Sequence, residues 1–216
     1  NDVFTLAHEA GHSMHSFYSS RHQPFQYYQY KIFVAEVAST FNEELLSAHL
    51  LQNAQDEKQR AYLVNRAIDD MRGTIIRQTM FAEFEKITHD MAEQGEPLTV
   101  QALKETYQKL LRDYFGPDFT YDETLSLECL RIPHFYRAFY VYKYATGMSA
   151  AIALSQRVLT GGEAELRAYL KFLQGGCSQD PLDLLRGAGV DMEQPGPVET
   201  ALHHFEELVE ELDSLL

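Results

Sequence analysis

His8-Glu9-Ala10-Gly11-His12, flanked by Asp2-Val3-Phe4-Thr5-Leu6-Ala7 before it and Ser13-Met14-His15 after it, is the stretch on which the reading of this chain turns. The outer histidines are four positions apart. That spacing puts both side chains on one face of an α-helix, where they can hold a single zinc ion. Glu9, beside the first histidine, is placed to act on water at such an ion rather than on the ion itself. Val3, Phe4, Leu6, Ala7, Ala10 and Met14 supply apolar positions for the helix, and Asp2 reads as its N-cap. A five-residue motif also arises by chance in helical proteins, so the reading depends on a further ligand.

Glu36 is that candidate. It is the one charge inside Ile32-Phe33-Val34-Ala35-Glu36-Val37-Ala38, and an ionised carboxylate in such a run is costly unless something positive pairs with it. A solvent-facing glutamate with an ordinary ion pair is the bland alternative, and the apolar neighbours argue against it. The first helix is expected near residues 2–19, followed by a loop through Arg21-His22-Gln23-Pro24 and a second helix over about 31–54 that returns beside the first. His8, His12 and Glu36 would then fill three zinc positions and leave one for water.

The rest of the chain reads as all-α, with few or no strands. A long amphipathic run is expected from about Asp56 to Glu93, with Leu63, Ala67, Met71, Ile75, Met80, Phe84 and Ile87 at helical spacing and a slip near Gly73-Thr74. Gly95 and Pro97 end it, Thr99 caps a helix running to Phe115, and Gly116-Pro117-Asp118 is a turn. Pro133 opens a helix expected to reach about Leu159, with Gly147 inside it as a close-packing or bending point. Gly161-Gly162 and Gly175-Gly176 bracket a short helix. Asp180-Pro181 starts another, and Pro195-Gly196-Pro197 precedes a last one over about 198–215.

Other residues on these elements are weighed in the same way. His15 shares the ligand side of the first helix and is expected to pack or support rather than bind metal, because an open position is required for catalysis. Glu43 lies on the face of Glu36, where a hydrogen bond to a ligand histidine and a solvated, structural role both stand. Ser39 and Thr40 are similar candidates for supporting the ligands. The aromatic, polar loop Gln23–Tyr30 either lines a groove or packs on the core. Cys129 and Cys177 match no zinc or redox spacing and read as buried free thiols, with cytoplasmic residence.

The chain carries 18 basic and 32 acidic residues, a formal net charge of −14. That balance disfavours nucleic acid and anionic membrane as partners. No apolar run approaches the roughly 20 residues of a membrane span.

His8-Glu9-Ala10-Gly11-His12-Ser13-Met14-His15 followed by Phe33-Val34-Ala35-Glu36-Val37-Ala38-Ser39-Thr40-Phe41-Asn42-Glu43 resembles the catalytic core of the oligoendopeptidase F branch of the thimet oligopeptidase family of zinc metallopeptidases. Pro133-His134-Phe135-Tyr136 and Phe139-Tyr140-Val141-Tyr142-Lys143-Tyr144-Ala145-Thr146-Gly147 are similar to that family's tyrosine-rich segment. The resemblance implies a gluzincin-like catalytic lobe with one Zn²⁺, Glu9 as general base, and short peptides as substrates. Family members are far longer, most of their extra length preceding the zinc helix. It therefore implies that residues 1–216 are the C-terminal catalytic portion of a larger oligopeptidase whose N-terminal lobe is absent. It also implies that the tyrosine segment reaches the substrate, with Tyr142 first and His134 and Tyr136 next as donors to the oxyanion. From spacing alone, Tyr136, Tyr140 and Tyr144 make a helical aromatic stripe, which is usually core. An exopeptidase with the same ligand set, and a helical binding module that has kept the motif without metal, are the rival readings.

Overall fold

The computed structural model describes residues 2–216. In order, these form α1 (Asp2–His22), α2 (Ile32–Gln52), α3 (Glu57–Met71), a π-helical turn (Arg72–Ile76), α4 (Arg77–Glu93), α5 (Val100–Phe115), a 3₁₀ turn (Glu123–Leu127), α6 (Glu128–Arg131), a second 3₁₀ turn (Pro133–Tyr136), α7 (Tyr142–Gly161), α8 (Glu163–Leu173), α9 (Pro181–Gly187) and α10 (Gly196–Leu215). No strand occurs among the described residues, as the all-α reading expects. No described helix is long and apolar enough to cross a membrane.

The chain divides into two units, one made of the residues up to Met71 together with Thr146–Leu216, the other of Arg72–Ala145. The core of the first unit joins Val34, Val37, Ala38 and Phe41 of α2 to Ala150, Ala151, Ala153 and Leu154 of α7. Tyr169, Phe172 and Leu173 of α8 and Leu184 and Leu185 of α9 complete it. The alanines on α7 carry almost no bulk, so α2 and α7 can approach while the larger rings fill the space beside them. Phe41 and Tyr169 stack with centroids 3.7 Å apart. α10 packs along α3 in the same unit, tied by an ion pair from Arg60 to Glu211. The second unit closes around Met80, Phe81 and Phe84 of α4, Tyr107, Leu110 and Leu111 of α5, and Cys129, Ile132 and Val141.

Two sequence expectations are met in detail. The slip near Gly73-Thr74 is the π-helical turn Arg72–Ile76, whose wider turn absorbs one residue of phase between α3 and α4. Thr99 caps α5, its hydroxyl accepting from Ala102 N at 3.1 Å, and Gly116 ends it at φ 76°, a conformation glycine reaches without steric cost.

Two others are corrected. Asp2 is already helical and lies in the first turn of α1, where its charge suits the positive end of the helix but does not cap it. The N-cap position falls outside the described residues, and α1 takes in Arg21 and His22 from the expected loop. The expected helix from Pro133 to Leu159 is broken: only Pro133–Tyr136 turns, as 3₁₀, and α7 starts at Tyr142. The break centres on Phe139 at φ 56°, a left-handed conformation that costs a non-glycine residue about 1–2 kcal/mol. Glu85, only 4% exposed on α4, accepts the Phe139 N–H at 2.5 Å, and His89, one turn later, packs its ring 4.6 Å from that of Phe139. A charge-assisted hydrogen bond offsets such strain, so a long-range contact, invisible in local periodicity, overrides the helical pattern.

Candidate metal centre

α1 and α2 meet almost backbone to backbone at Gly11. A Cβ there would lie 2.5 Å from Ala38 O and 2.6 Å from Ser39 Cα, so only glycine permits the approach. Asn42 of α2 locks the seam by donating from Nδ2 to Ala7 O at 2.6 Å. At Gly147, the glycine that the sequence marks for close packing, a Cβ would meet Glu36 Cβ at 3.8 Å, an ordinary contact. The close approach therefore belongs to Gly11.

That seam brings Glu36 to both histidines. Glu36 Oε2 lies 3.4 Å from His8 Nε2 and 3.7 Å from His12 Nε2. The two imidazoles stand edge to face, with centroids 4.8 Å apart. One donor atom from each of the three residues falls within 4.8 Å of the others. All three side chains are partly exposed, Glu36 the most at 35%, while its neighbours Val34, Val37 and Ala38 are buried. Val34, Ala35, Val37 and Ala38 thus pack α2 down while Glu36, like Ile32 and Phe33, keeps some exposure, so the apolar neighbours do not bury the carboxylate as the sequence reading expects.

The donor set fits a zinc ion. Ligand bonds of about 2.0–2.2 Å in a tetrahedron put neighbouring donors roughly 3.3–3.6 Å apart, close to the two separations found here. They are wider than a good hydrogen bond of about 2.7–3.2 Å. His8 is also oriented from behind, its Nδ1 lying 2.6 Å from Glu43 Oε1. A carboxylate there accepts the Nδ1 proton, which leaves the Nε2 lone pair facing Glu36 and His12. Of the two readings open for Glu43, the hydrogen bond to His8 is the contact that forms. Ser39 Oγ shares its hydrogen between Glu36 O at 3.0 Å and Glu36 Oε2 at 3.3 Å, so Ser39, of the Ser39–Thr40 pair, is the one that touches Glu36.

Glu9 is exposed on α1 next to His8. His15 packs, as expected: it is 1% exposed, stacked on Tyr30 with centroids 3.6 Å apart and planes 4° from parallel. Burial, with a smaller effect from His12, pushes its pKa down to about 3, so the ring is neutral, and its buried Nδ1 has no hydrogen-bond partner. The Gln23–Tyr30 loop packs down in part, through Tyr30 on His15. Gln23 Nε2 donates to Gln174 O at 2.9 Å and Tyr27 O accepts from Cys177 N at 2.8 Å, which pins the loop to the turn after α8. Tyr28, Gln29 and Tyr30 nevertheless line a cavity of about 680 Å³ with Ser13, Ser16, Phe17 and Ser20 of α1.

The tyrosine segment belongs to the second unit, and its geometry departs from the helical stripe. His134 stacks on Tyr140 with centroids 5.3 Å apart, and its Nε2 lies 3.4 Å from Tyr144 Oη. Tyr136 is 78% exposed and donates its hydroxyl to Leu130 O at 3.0 Å. Tyr142, 39% exposed, opens α7. Tyr136, Tyr140 and Tyr144 therefore share no single helix. The sequence reading missed Arg66 of α3, whose guanidinium lies 3.7 Å from Glu43 Oε2; an arginine on an amphipathic helix carries no local sign of such a contact.

The family model for peptidase family M3 matches residues 1–204. Oligopeptidase PepF of Bacillus subtilis is 52% identical over 216 residues, covering 100% of this chain and 32% of the relative. An oligoendopeptidase F homolog of Borreliella burgdorferi is 47% identical over 214 residues, covering 99% of this chain and 36% of the relative. The crystal structure of oligoendopeptidase-F from Enterococcus faecium superposes with a TM-score of 0.89 at 42% identity, over 99% of this chain and 39% of that one. The chain thus spans about a third of the length of the curated relatives it matches.

Proposed function

The chain belongs to peptidase family M3, and on that premise we propose that it supplies the metal- and base-bearing part of a zinc-dependent endopeptidase acting on internal bonds of short peptides. The observation that carries the proposal is that His8 Nε2 and His12 Nε2 gather at Glu36 Oε2, within 4.8 Å of one another, with Glu9 next to His8 in the chain. Those three residues would hold the ion. Zinc in such a site supplies Lewis acidity toward a carbonyl and lowers the pKa of a water toward about 7. Glu43 holds the Nδ1 proton of His8, so the imidazole binds as a neutral ligand through Nε2. The Glu9 carboxylate takes a proton from the attacking water and gives it to the leaving amine as the peptide C–N bond breaks. Tyr142 first, then His134 and Tyr136, are proposed to donate hydrogen bonds to the oxyanion that forms on the carbonyl; Tyr136 would first have to give up its hydrogen bond to Leu130 O.

The same proposal places these residues in one lobe of a longer oligopeptidase, since the relatives are about three times as long. The further lobe would wall the groove and orient the peptide. Cytoplasmic residence goes with it, supported by the free thiols of Cys129, which is buried, and Cys177, which is partly exposed and not buried as expected; oxidising compartments disfavour such thiols.

Metal analysis of the purified chain tests the ligand set: the wild type is expected to carry zinc, and His12→Ala to lose most of it. Undiminished zinc in that variant removes His12 from the site. Cleavage of a doubly blocked, internally quenched peptide by the complete enzyme tests the endopeptidase reading, because an exopeptidase needs a free terminus. Tyr142→Phe in the same enzyme should lower kcat by about 10²–10³-fold with little change in KM. A defect confined to KM makes Tyr142 a packing residue, and Tyr140 or Tyr144, both packed with His134, becomes the better donor.

A further inference from the structure

Three helices, not two, meet behind His8. Arg66 of α3 is largely buried, its side chain 16% exposed. Its guanidinium carbon sits over the Phe4 ring of α1 at 3.2 Å, with Nη2 2.9 Å from Asp70 Oδ2 and 3.7 Å from Glu43 Oε2. The other Glu43 oxygen is the one at His8 Nδ1, 2.6 Å away. Phe4 precedes His8 by one turn on α1. The contacts therefore close a circuit from α1 to α3 to α2 and back to the ligand on α1.

We propose that Arg66 is a positioning residue for the metal centre, holding Glu43 so that its carboxylate fixes His8 with Nε2 toward Glu36 and His12. This rests on the zinc reading of those three residues. A glutamate side chain has three rotatable bonds and loses rotamer entropy when it is held. One hydrogen bond to an imidazole leaves its second oxygen to water. With a guanidinium 3.7 Å from the far oxygen, that end of the carboxylate faces a positive charge while the near end is hydrogen-bonded to His8. The arginine itself has little freedom, because its planar head lies on an aromatic face and pairs with a carboxylate one turn along its own helix.

The surroundings explain why a cation is needed. Glu43, Glu44 and Asp70 crowd this corner, and the Glu44 carboxyl is pushed up to about 7 by burial, then by Glu43 and Asp70, with Arg66 pulling the other way. Without a positive partner, like charges would favour turning Glu43 away from its neighbours.

The experiment uses the purified chain and zinc alone. The zinc Kd is measured against a chromogenic chelator for the wild type, Arg66→Met, Arg66→Lys and Glu43→Gln, and for Arg66→Met combined with Glu43→Gln. Helicity and the melting temperature of each metal-free form are recorded beside it. Outer partners of metal ligands typically change affinity by about 10–100-fold. Arg66→Met is expected to weaken zinc within that range, and Arg66→Lys to recover part of the loss. Adding Arg66→Met to Glu43→Gln is expected to change Kd less than about twofold, because a residue that acts through Glu43 has nothing left to act on. A folded Arg66→Met with wild-type zinc affinity overturns the inference, and so does an equal further loss in the Glu43→Gln background. Should Arg66→Met fail to fold, Arg66→Gln, which keeps a polar head without the charge, takes its place, and wild-type affinity in it overturns the proposal. A wild-type chain that binds no zinc instead overturns the metal reading, which separates the two failures.

Discussion

Glu9→Gln is expected to keep zinc and fold while lowering kcat by about 10²–10⁴-fold in the complete enzyme. The substitution is nearly isosteric and sits on the exposed side of α1, so neither the core nor the seam with α2 has reason to respond. Glu9 is absent from the cluster of donor atoms, which comprises His8, His12 and Glu36, so zinc content should stay at the wild-type level. What the amide lacks is a basic site: it cannot take a proton from water or hand one to the leaving amine. Steady-state hydrolysis of a quenched peptide, paired with metal analysis of the same preparation, checks both halves. Near-normal kcat sinks the general-base assignment. Lost zinc together with lost activity would instead make Glu9 part of the metal site.

Gly11→Ala has the second large effect, and two opposing terms decide its sign. Within an isolated helix, alanine is favoured over glycine by about 1 kcal/mol. At this position the new methyl would meet Ala38 O at 2.5 Å and Ser39 Cα at 2.6 Å. Both are backbone atoms of α2 and cannot swing aside. Reaching an ordinary contact of about 3.5 Å forces the helices apart by roughly 1 Å, and overpacking of this kind costs about 1–3 kcal/mol. Packing outweighs propensity, so the variant is expected to melt at lower temperature. The functional loss should be larger than the stability loss. Gly11 lies between the two histidines in sequence, and the clash falls just after Glu36, so the displacement opens the donor cluster itself. A shift of that size can cost about 10²-fold in turnover. Thermal unfolding, zinc affinity and kcat are measured together. A variant that is more stable than the wild type and binds zinc normally would show that the helices can part without cost, and that the seam does not set the site.

The motif Glu9 belongs to was legible because its chemistry is local. His8 and His12 share a helix, and helical periodicity alone fixes which of their faces coincide. Glu36 was legible only as the one charge in an apolar run; the structure leaves it partly exposed, so its place beside the histidines comes from the seam of α1 with α2 and not from the cost of burying a charge. Thr99 and Gly116 mark the ends of α5 through hydrogen bonds and dihedral angles confined to a few residues. Even the π-helical turn left its trace, as a slip in phase near Gly73.

The residues that only the tertiary structure decided are those whose partners lie far along the chain. Nothing near Gly11 announces that Ala38 O will press against it; the HExxH spacing tolerates many residues there, and the seam with α2 admits one. Periodicity carried the helix from Pro133 through to Leu159, whereas Glu85, 54 positions before Phe139, captures its N–H and breaks the run. Arg66 reads as one more polar residue of an amphipathic helix until α1 and α2 bring Phe4 and Glu43 to it. The sequence by itself determined the all-α class and the two-histidine face, because propensity and periodicity act within one element. The spacing of the donors and the hold on His8 were left to the packed chain, because they depend on how closely separate helices approach and on which long-range hydrogen bonds outweigh local preference.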